Sequence, residues 1–197
     1  MNRKNKQLIA ENIVILSGPS GAGEDTIISE LSKKINLEKI ITTTTRNKRP
    51  GEKNGKDYYF ISEEEFKEGV KNKIFVEYAK EYNDNYYGVT EKELLRVAKS
   101  GKLGIWKIEY KGVITAKKLF PRMKAIFITA PLYQLKERIN SRDGVKTEYI
   151  QERMKYTKKW LKHQHIYDFK VINRNGQLKS AVSRVIKYLE TIDKQNN

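Results

Sequence analysis

The chain is predicted to be an α/β protein built on a parallel sheet flanked by helices, with an inserted β-rich lobe. Three observations predict it. Short apolar runs alternate with amphipathic segments, the pattern of strands joined by crossover helices. Residues 18–26, Gly-Pro-Ser-Gly-Ala-Gly-Glu-Asp-Thr, form a glycine-rich loop directly after one apolar run and directly before a helical pattern. A β-rich stretch between about 42 and 89 interrupts the alternation, and reads as an insertion.

The elements follow in order. Asn12 to Ser17 is an apolar strand, and a helix begins after the loop and runs to about residue 35. Lys39-Ile40-Ile41-Thr42 reads as a short strand leading into a basic, loop-like segment that ends near Glu52. Residues 57–62 alternate like a strand, and Ser62 is placed to cap a helix through Gly69. Two β-prone segments follow at 75–80 and 85–89, then a helix from Glu91 to Ser100 stopped by Gly101. Leu103 to Tyr110 reads as a strand, 112–119 as a helix, and 125–130 as a buried strand stopped by Pro131. Charged helices near 132–141 and 147–164, a strand at 169–173 and a helix from about 177 to 190 complete the pattern.

Composition excludes several classes. At 197 residues the chain suits one α/β domain with an insertion. There is no run of about 18 apolar residues, so no membrane span is expected. The basic start, Met1 to Gln7, lacks the apolar stretch of a signal peptide, and a cytoplasmic enzyme is expected. Cysteine is absent, which excludes disulfides and thiolate metal sites, and His163 and His165 alone make a poor zinc set. The formal charge of +16 comes from 40 Lys and Arg against 24 Asp and Glu. These lysines are dispersed rather than blocked, so they read as solvated faces that attract polyanions non-specifically. No nucleic-acid recognition motif accompanies them.

The loop carries the chemistry. A phosphate-binding loop reads Gly, four residues, Gly, Lys, then Ser or Thr. Gly18 and Gly23 keep that spacing, which marks a P-loop NTPase-type core, but Glu24 stands where the lysine belongs and Asp25 where the metal-binding hydroxyl belongs. At an effective dielectric near 20 and about 4 Å, one charge pair is worth about 4 kcal/mol. A reversed sign therefore weakens ATP binding unless another cation compensates.

Five blocks in order make the chain resemble guanylate kinases over nearly its full length. They are residues 17–23, Thr44-Thr45-Arg46 with Arg49-Pro50-Gly51-Glu52, Asn54 to Tyr58, Phe75 to Ala79, and Asn85 to Gly88. The resemblance implies a core at 1–41 and 90–197, a GMP-binding lobe at 42–89, and a helical lid at about 134–155. It implies transfer of a phosphoryl group from ATP to GMP with Mg2+, in a monomer or homodimer. On the ATP side it assigns Gly18, Ser20, Gly21, Ala22, Gly23, Glu24, Asp25, Thr26 and Asn173, with Asp25 as the metal ligand. On the GMP side it assigns Thr42, Arg46, Arg49, Tyr58, Glu77, Tyr87 and Glu109. Guanidinium forks and phenols suit a phosphate dianion, and carboxylates suit the guanine N–H donors. Arg138, Arg142 and Arg153 match arginines that close over the transferring group.

Two further departures bear on function. The strand that carries an acid, an apolar residue and an acid in the family reads Lys107-Ile108-Glu109 here. The loop has thus gained an acid and the facing strand a lysine, which suggests a charge swap in which Lys107 pairs with Glu24. That pairing would either restore the missing cation or serve structure alone. Val89 stands where the family offers a hydroxyl to the base, with Thr90 beside it as a substitute. The expected function is GMP phosphorylation through a rewired loop. The alternative is an impaired relative that keeps the monophosphate pocket as a binding or scaffolding module.

Overall fold

The computed structural model describes residues 1–80, 84–141 and 147–196. The elements run α1 (Arg3–Asn12), β1 (Ile13–Ser17), α2 (Glu24–Ser32), β2 (Leu37–Lys39), β3 (Thr43–Thr44), β4 (Tyr59–Phe60), α3 (Glu63–Lys71), β5 (Phe75–Lys80) and β6 (Tyr86–Thr90). Then come α4 (Glu91–Ala98), β7 (Leu103–Lys107), α5 (Tyr110–Leu119), β8 (Ala125–Thr129), α6 (Leu132–Asn140), α7 (Thr147–Lys162), β9 (Phe169–Ile172) and α8 (Leu178–Asn196). No helix among the described residues is long and apolar enough to cross a membrane.

A parallel sheet in the order β2-β7-β1-β8-β9 forms the core, with β1 at its centre. Alternation along β1 explains the two layers. Val14 and Leu16 face a cluster with Ile27, Leu31 and Val182 from α2 and α8, while Ile13 and Ile15 face Leu94, Val97 and Val113 from α4 and α5. Each such side chain, fully buried, contributes about 1.5–3 kcal/mol. A strand covered on both faces reads as a near-continuous apolar run, as β1 does from Ile13 to Leu16.

The second sheet, β4-β3-β6-β5, is mixed: β3 pairs parallel with β4 and antiparallel with β6, and β6 pairs antiparallel with β5. The strand expected at Lys39–Thr42 is split between the two sheets. Ile40 N–H bonds Ile105 O at the end of the core sheet, and Thr42 O already accepts from Tyr59 N–H in the second. Lys107 closes β7 and Glu109 caps α5, so the strand expected to reach Tyr110 stops three residues short. Ser62 and Glu65 cap α3 reciprocally, Glu65 N–H to Ser62 Oγ at 3.1 Å and Ser62 N–H to Glu65 Oε2 at 2.7 Å. Helix α1 escaped the sequence reading. It is polar on nearly every face, capped by Asn2 and anchored by the single buried Ile9.

Candidate active site

The loop between β1 and α2 is built by close approach. A Cβ at Gly18 would lie 2.2 Å from Ile128 O, and Gly21 and Gly23 take φ of +86° and +90°, a region costly for side-chain-bearing residues. Its outer side is braced. Asn173 Nδ2 donates to Ala22 O at 2.9 Å, and Arg138 donates to Gly21 O at 3.0 Å and Asn173 O at 2.8 Å. At the loop's start Ser17 Oγ donates to Ile108 O at 2.7 Å and meets Tyr167 Oη at 2.9 Å. That link ties the end of β1 to the backbone between Lys107 and Glu109.

A cleft of about 360 Å³ opens from this loop towards the second sheet. It brings together Gly18, Ser20, Glu24, Thr42, Arg49, Tyr58, Glu77, Tyr87, Lys107, Glu109 and Arg153. A second cavity of about 330 Å³, behind the loop, is lined by Gly21, Gly23, Thr26, Arg138 and Asn173. Arg46 lines neither. Glu52 holds its guanidinium with two bonds of 2.7 and 2.9 Å, and it lies 5.3 Å from the Tyr58 ring. Arg153 lies 5.1 Å from the Tyr149 ring. Arg142 falls outside the described residues.

Two acids form the deep end of the cleft. Glu77 is buried, and its carboxyl is pushed up to about 7, first by burial and then by the neighbouring charge of Glu109. Glu109 occupies the N-cap position of α5 without using its side chain there, which leaves the carboxylate turned to the cleft. Tyr156 donates its hydroxyl to Glu109 Oε2 at 2.5 Å. Gly112 lets α5 press against Glu77: a Cβ there would meet Glu77 Oε1 at 2.9 Å.

At the loop end the charges are rearranged. Lys107 Nζ donates to both oxygens of Asp25, at 2.7 and 2.8 Å, rather than to Glu24 as expected. Successive helical residues point about 100° apart, so one ammonium cannot face both in the same way. Burial alone would pull Lys107 down, but the charge of Asp25, with help from Glu24, holds it above its usual value. Burial pushes the Glu24 carboxyl up to about 7, against the pull of nearby N–H groups of Glu24 and Gly23 and of Lys107. The substitute hydroxyl is also committed elsewhere. Thr90 Oγ1 accepts from Glu93 N–H at 3.2 Å, capping α4, and Val89 is buried in the core.

The sequence is also similar to known proteins along its length. The family model described as guanylate kinase matches residues 10–192. The chain belongs to the guanylate kinase family. It is 36% identical over 200 residues to the guanylate kinase of Malacoplasma penetrans, covering 99% of this chain and 100% of that one. The guanylate kinase of Lactobacillus johnsonii is 38% identical over 183 residues, covering 91% of this chain and 86% of its own length. The crystal structure of guanylate kinase from Anaplasma phagocytophilum superposes with a TM-score of 0.71 at 26% identity, over 91% of this chain and 84% of that one.

Beside the residues assigned through the guanylate kinase resemblance, the cleft contains Lys39, Asp57, Gly112, Tyr149, Tyr156, Thr157 and Trp160. Tyr156 and Trp160 lie four apart on α7, so both reach one face, a spacing that could have drawn attention to them. Lys39 gave no such signal, because one lysine among many carries no pattern.

Proposed function

We propose that the protein transfers the terminal phosphoryl group of ATP to GMP, giving ADP and GDP, in the cytoplasm. The observation that carries this reading is one continuous cleft, with a phosphate-type loop at one end and the acids Glu77 and Glu109 at the other. Residues 42–89 serve as the monophosphate-binding lobe in this reading, and about 134–155 as the lid. The guanine N–H donors meet Glu77 and Glu109, and Thr42 lies beside them. Arg49, Tyr58 and Tyr87 hold the GMP phosphate, with Arg46 available when Glu52 releases it. The ATP phosphates lie along residues 18–26, with Asn173 behind the loop.

A GMP phosphate oxygen bonds to the γ-phosphorus as the bond to the β,γ-bridging oxygen breaks, and ADP leaves. The attacking atom is already anionic, so no general base is needed. Catalysis is then positioning and charge neutralisation, by Lys107, Arg153 and Arg142. Arg138, expected beside them, holds the loop from behind through Gly21 O and Asn173 O. The residues fit a magnesium ion arriving with ATP. No group of three or more His, Asp or Glu among the described residues is arranged to hold a metal, but Asp25 offers an exposed carboxylate, and Mg2+ commonly takes one carboxylate with phosphate oxygens. Bound there, the ion would supply further neutralisation of phosphate charge.

A second reading has its own support. Asp25 already compensates Lys107, and the Glu24 carboxyl lies beside loop N–H groups of the kind that receive phosphate. These features favour an impaired relative that binds GMP without using ATP. ADP release with Mg-ATP and each of GMP, dGMP, AMP, UMP and CMP separates the two. Turnover selective for GMP supports the kinase. Calorimetric GMP binding with no turnover supports the binding module.

A further inference from the structure

A loop without its lysine leaves the transferring phosphoryl group short of one positive charge. Lys107 does not simply replace it, because both oxygens of Asp25 sit on its ammonium. A second lysine lines the same cleft. Lys39 ends β2, the edge strand of the core sheet, and lines the same cleft as Gly18, Ser20 and Glu24. In register it lies opposite Ile105 of β7, two residues before Lys107. Residues two apart on a strand share a face, and paired residues of neighbouring strands do so too. Lys39, Ile105 and Lys107 therefore project to the side of the sheet that α2 covers, where the loop ends.

Lys39 is half-buried and forms no ion pair among the described residues. The charges that act on it come from both ends of the site: Lys107 and Asp25 from the core, and Asp57 from beside the second sheet. Burial, then the repulsion of Lys107, holds its ammonium below the ordinary lysine value, against the pull of Asp25 and Asp57. A partly desolvated cation with a like neighbour is costly unless an anion completes the site. Its place between loop and lobe is where the phosphate chains of a donor and an acceptor would meet.

We propose that Lys39 supplies, from β2, the cation for the transferring phosphoryl group that the loop itself lacks. This role rests on the GMP-kinase reading. The ammonium stays protonated throughout and neutralises the non-bridging oxygens as one P–O bond forms and the other breaks. Lys107, whose ammonium both Asp25 oxygens hold, adds to that charge from β7 and ties the start of α2 to the strand.

Steady-state kinetics of the full chain with Mg-ATP and GMP test it, using Lys39→Met, which keeps the aliphatic stem, and Lys39→Arg. Calorimetric GMP binding and thermal melting of each variant accompany the kinetics. For Lys39→Met, kcat is expected to fall about 100-fold or more, the scale of losing one preorganised charge-stabilising group. KM and Kd for GMP are expected to stay within about threefold, melting to be unchanged, and Lys39→Arg to recover at least about a tenth of kcat. A Lys39→Met enzyme within about threefold of the parent kcat overturns the role. So does a loss shared equally by Lys39→Arg and accompanied by lost GMP binding or early melting, which marks a structural lysine. A parent chain that turns over no GMP overturns the kinase reading first, and this role with it.

Discussion

Lys107 on β7 binds Asp25 on α2 through both carboxylate oxygens, at 2.7 and 2.8 Å. The pair pins the first turn of the helix to the strand beside β1, so the loop between them is fixed at both ends. Asp25 is well exposed, with 71% of its side chain accessible, whereas Lys107 is more enclosed at 30%. Removing the acid therefore leaves a partly desolvated ammonium, and removing the lysine leaves a solvated carboxylate.

The first prediction concerns this pair. Lys107→Ala and Asp25→Ala should each lower stability, and the double variant should lose less than their sum. A coupling of about 0.5–2 kcal/mol is expected, within the range for contacting residues. Urea denaturation of the four proteins measures it, and additivity within about 0.3 kcal/mol would show that the contact does not couple. The same cycle with Glu24→Ala should give the smaller coupling.

Glu77 gives a pH dependence with a definite sign. Its folded carboxyl titrates at about 7, against an ordinary value of 4.5, so the folded state holds a proton that the unfolded state releases between the two. This contribution is fully present below about 4.5 and is lost as pH rises through 7. Its full size is at most about 3 kcal/mol. Glu77→Gln should match the parent chain near pH 5 and exceed it in stability at pH 8. Parallel stability profiles for the two proteins would contradict this. GMP affinity should move the other way and strengthen as Glu77 ionises, because the guanine N–H groups seek a charged acceptor.

Tyr156 fixes the Glu109 carboxylate from α7. Tyr156→Phe removes one hydrogen bond to a charged group and little volume, a loss of about 1–2 kcal/mol, or roughly 5- to 30-fold. That weakening is expected in calorimetric GMP affinity, with melting nearly unchanged. Unaltered affinity would mean that the hydroxyl only fills space.

Glu93 sits beneath the junction between the two sheets, 4% exposed. It accepts from Ile41 N–H at 2.8 Å, Tyr59 Oη at 3.3 Å, and Arg96 Nε and Nη2 at 2.9 Å each. Glu93→Ala strands a backbone donor and a phenol, and should cost about 2–4 kcal/mol in urea unfolding. Glu93→Gln keeps an acceptor and should cost less. An alanine variant within about 0.5 kcal/mol of the parent would remove Glu93 from this role.

The amino-acid sequence by itself determined the parallel core, the insertion, the loop and the family. These depend on local signals: apolar runs such as Ile13 to Leu16, glycines that only a tight loop requires, and motif blocks whose order survives in one dimension. It also marked Gly18, Ser20, Arg49, Tyr58, Glu77 and Tyr87, which line the cleft, because the blocks carry them together. But it marked Arg46, which does not line the cleft, and passed over Lys39, Tyr156 and Trp160, which do. It did not show α1, whose polar surface hides one buried Ile9, nor where Lys39 to Thr42 divides between two sheets. Only the tertiary structure decided which charges meet. Whether Lys107 finds Glu24 or Asp25, whether Arg46 faces the cleft or Glu52, and whether Lys39 has an ion-pair partner among the described residues depend on distances of a few ångströms. Those distances are set by strand register and helix rotation, which residue order does not record.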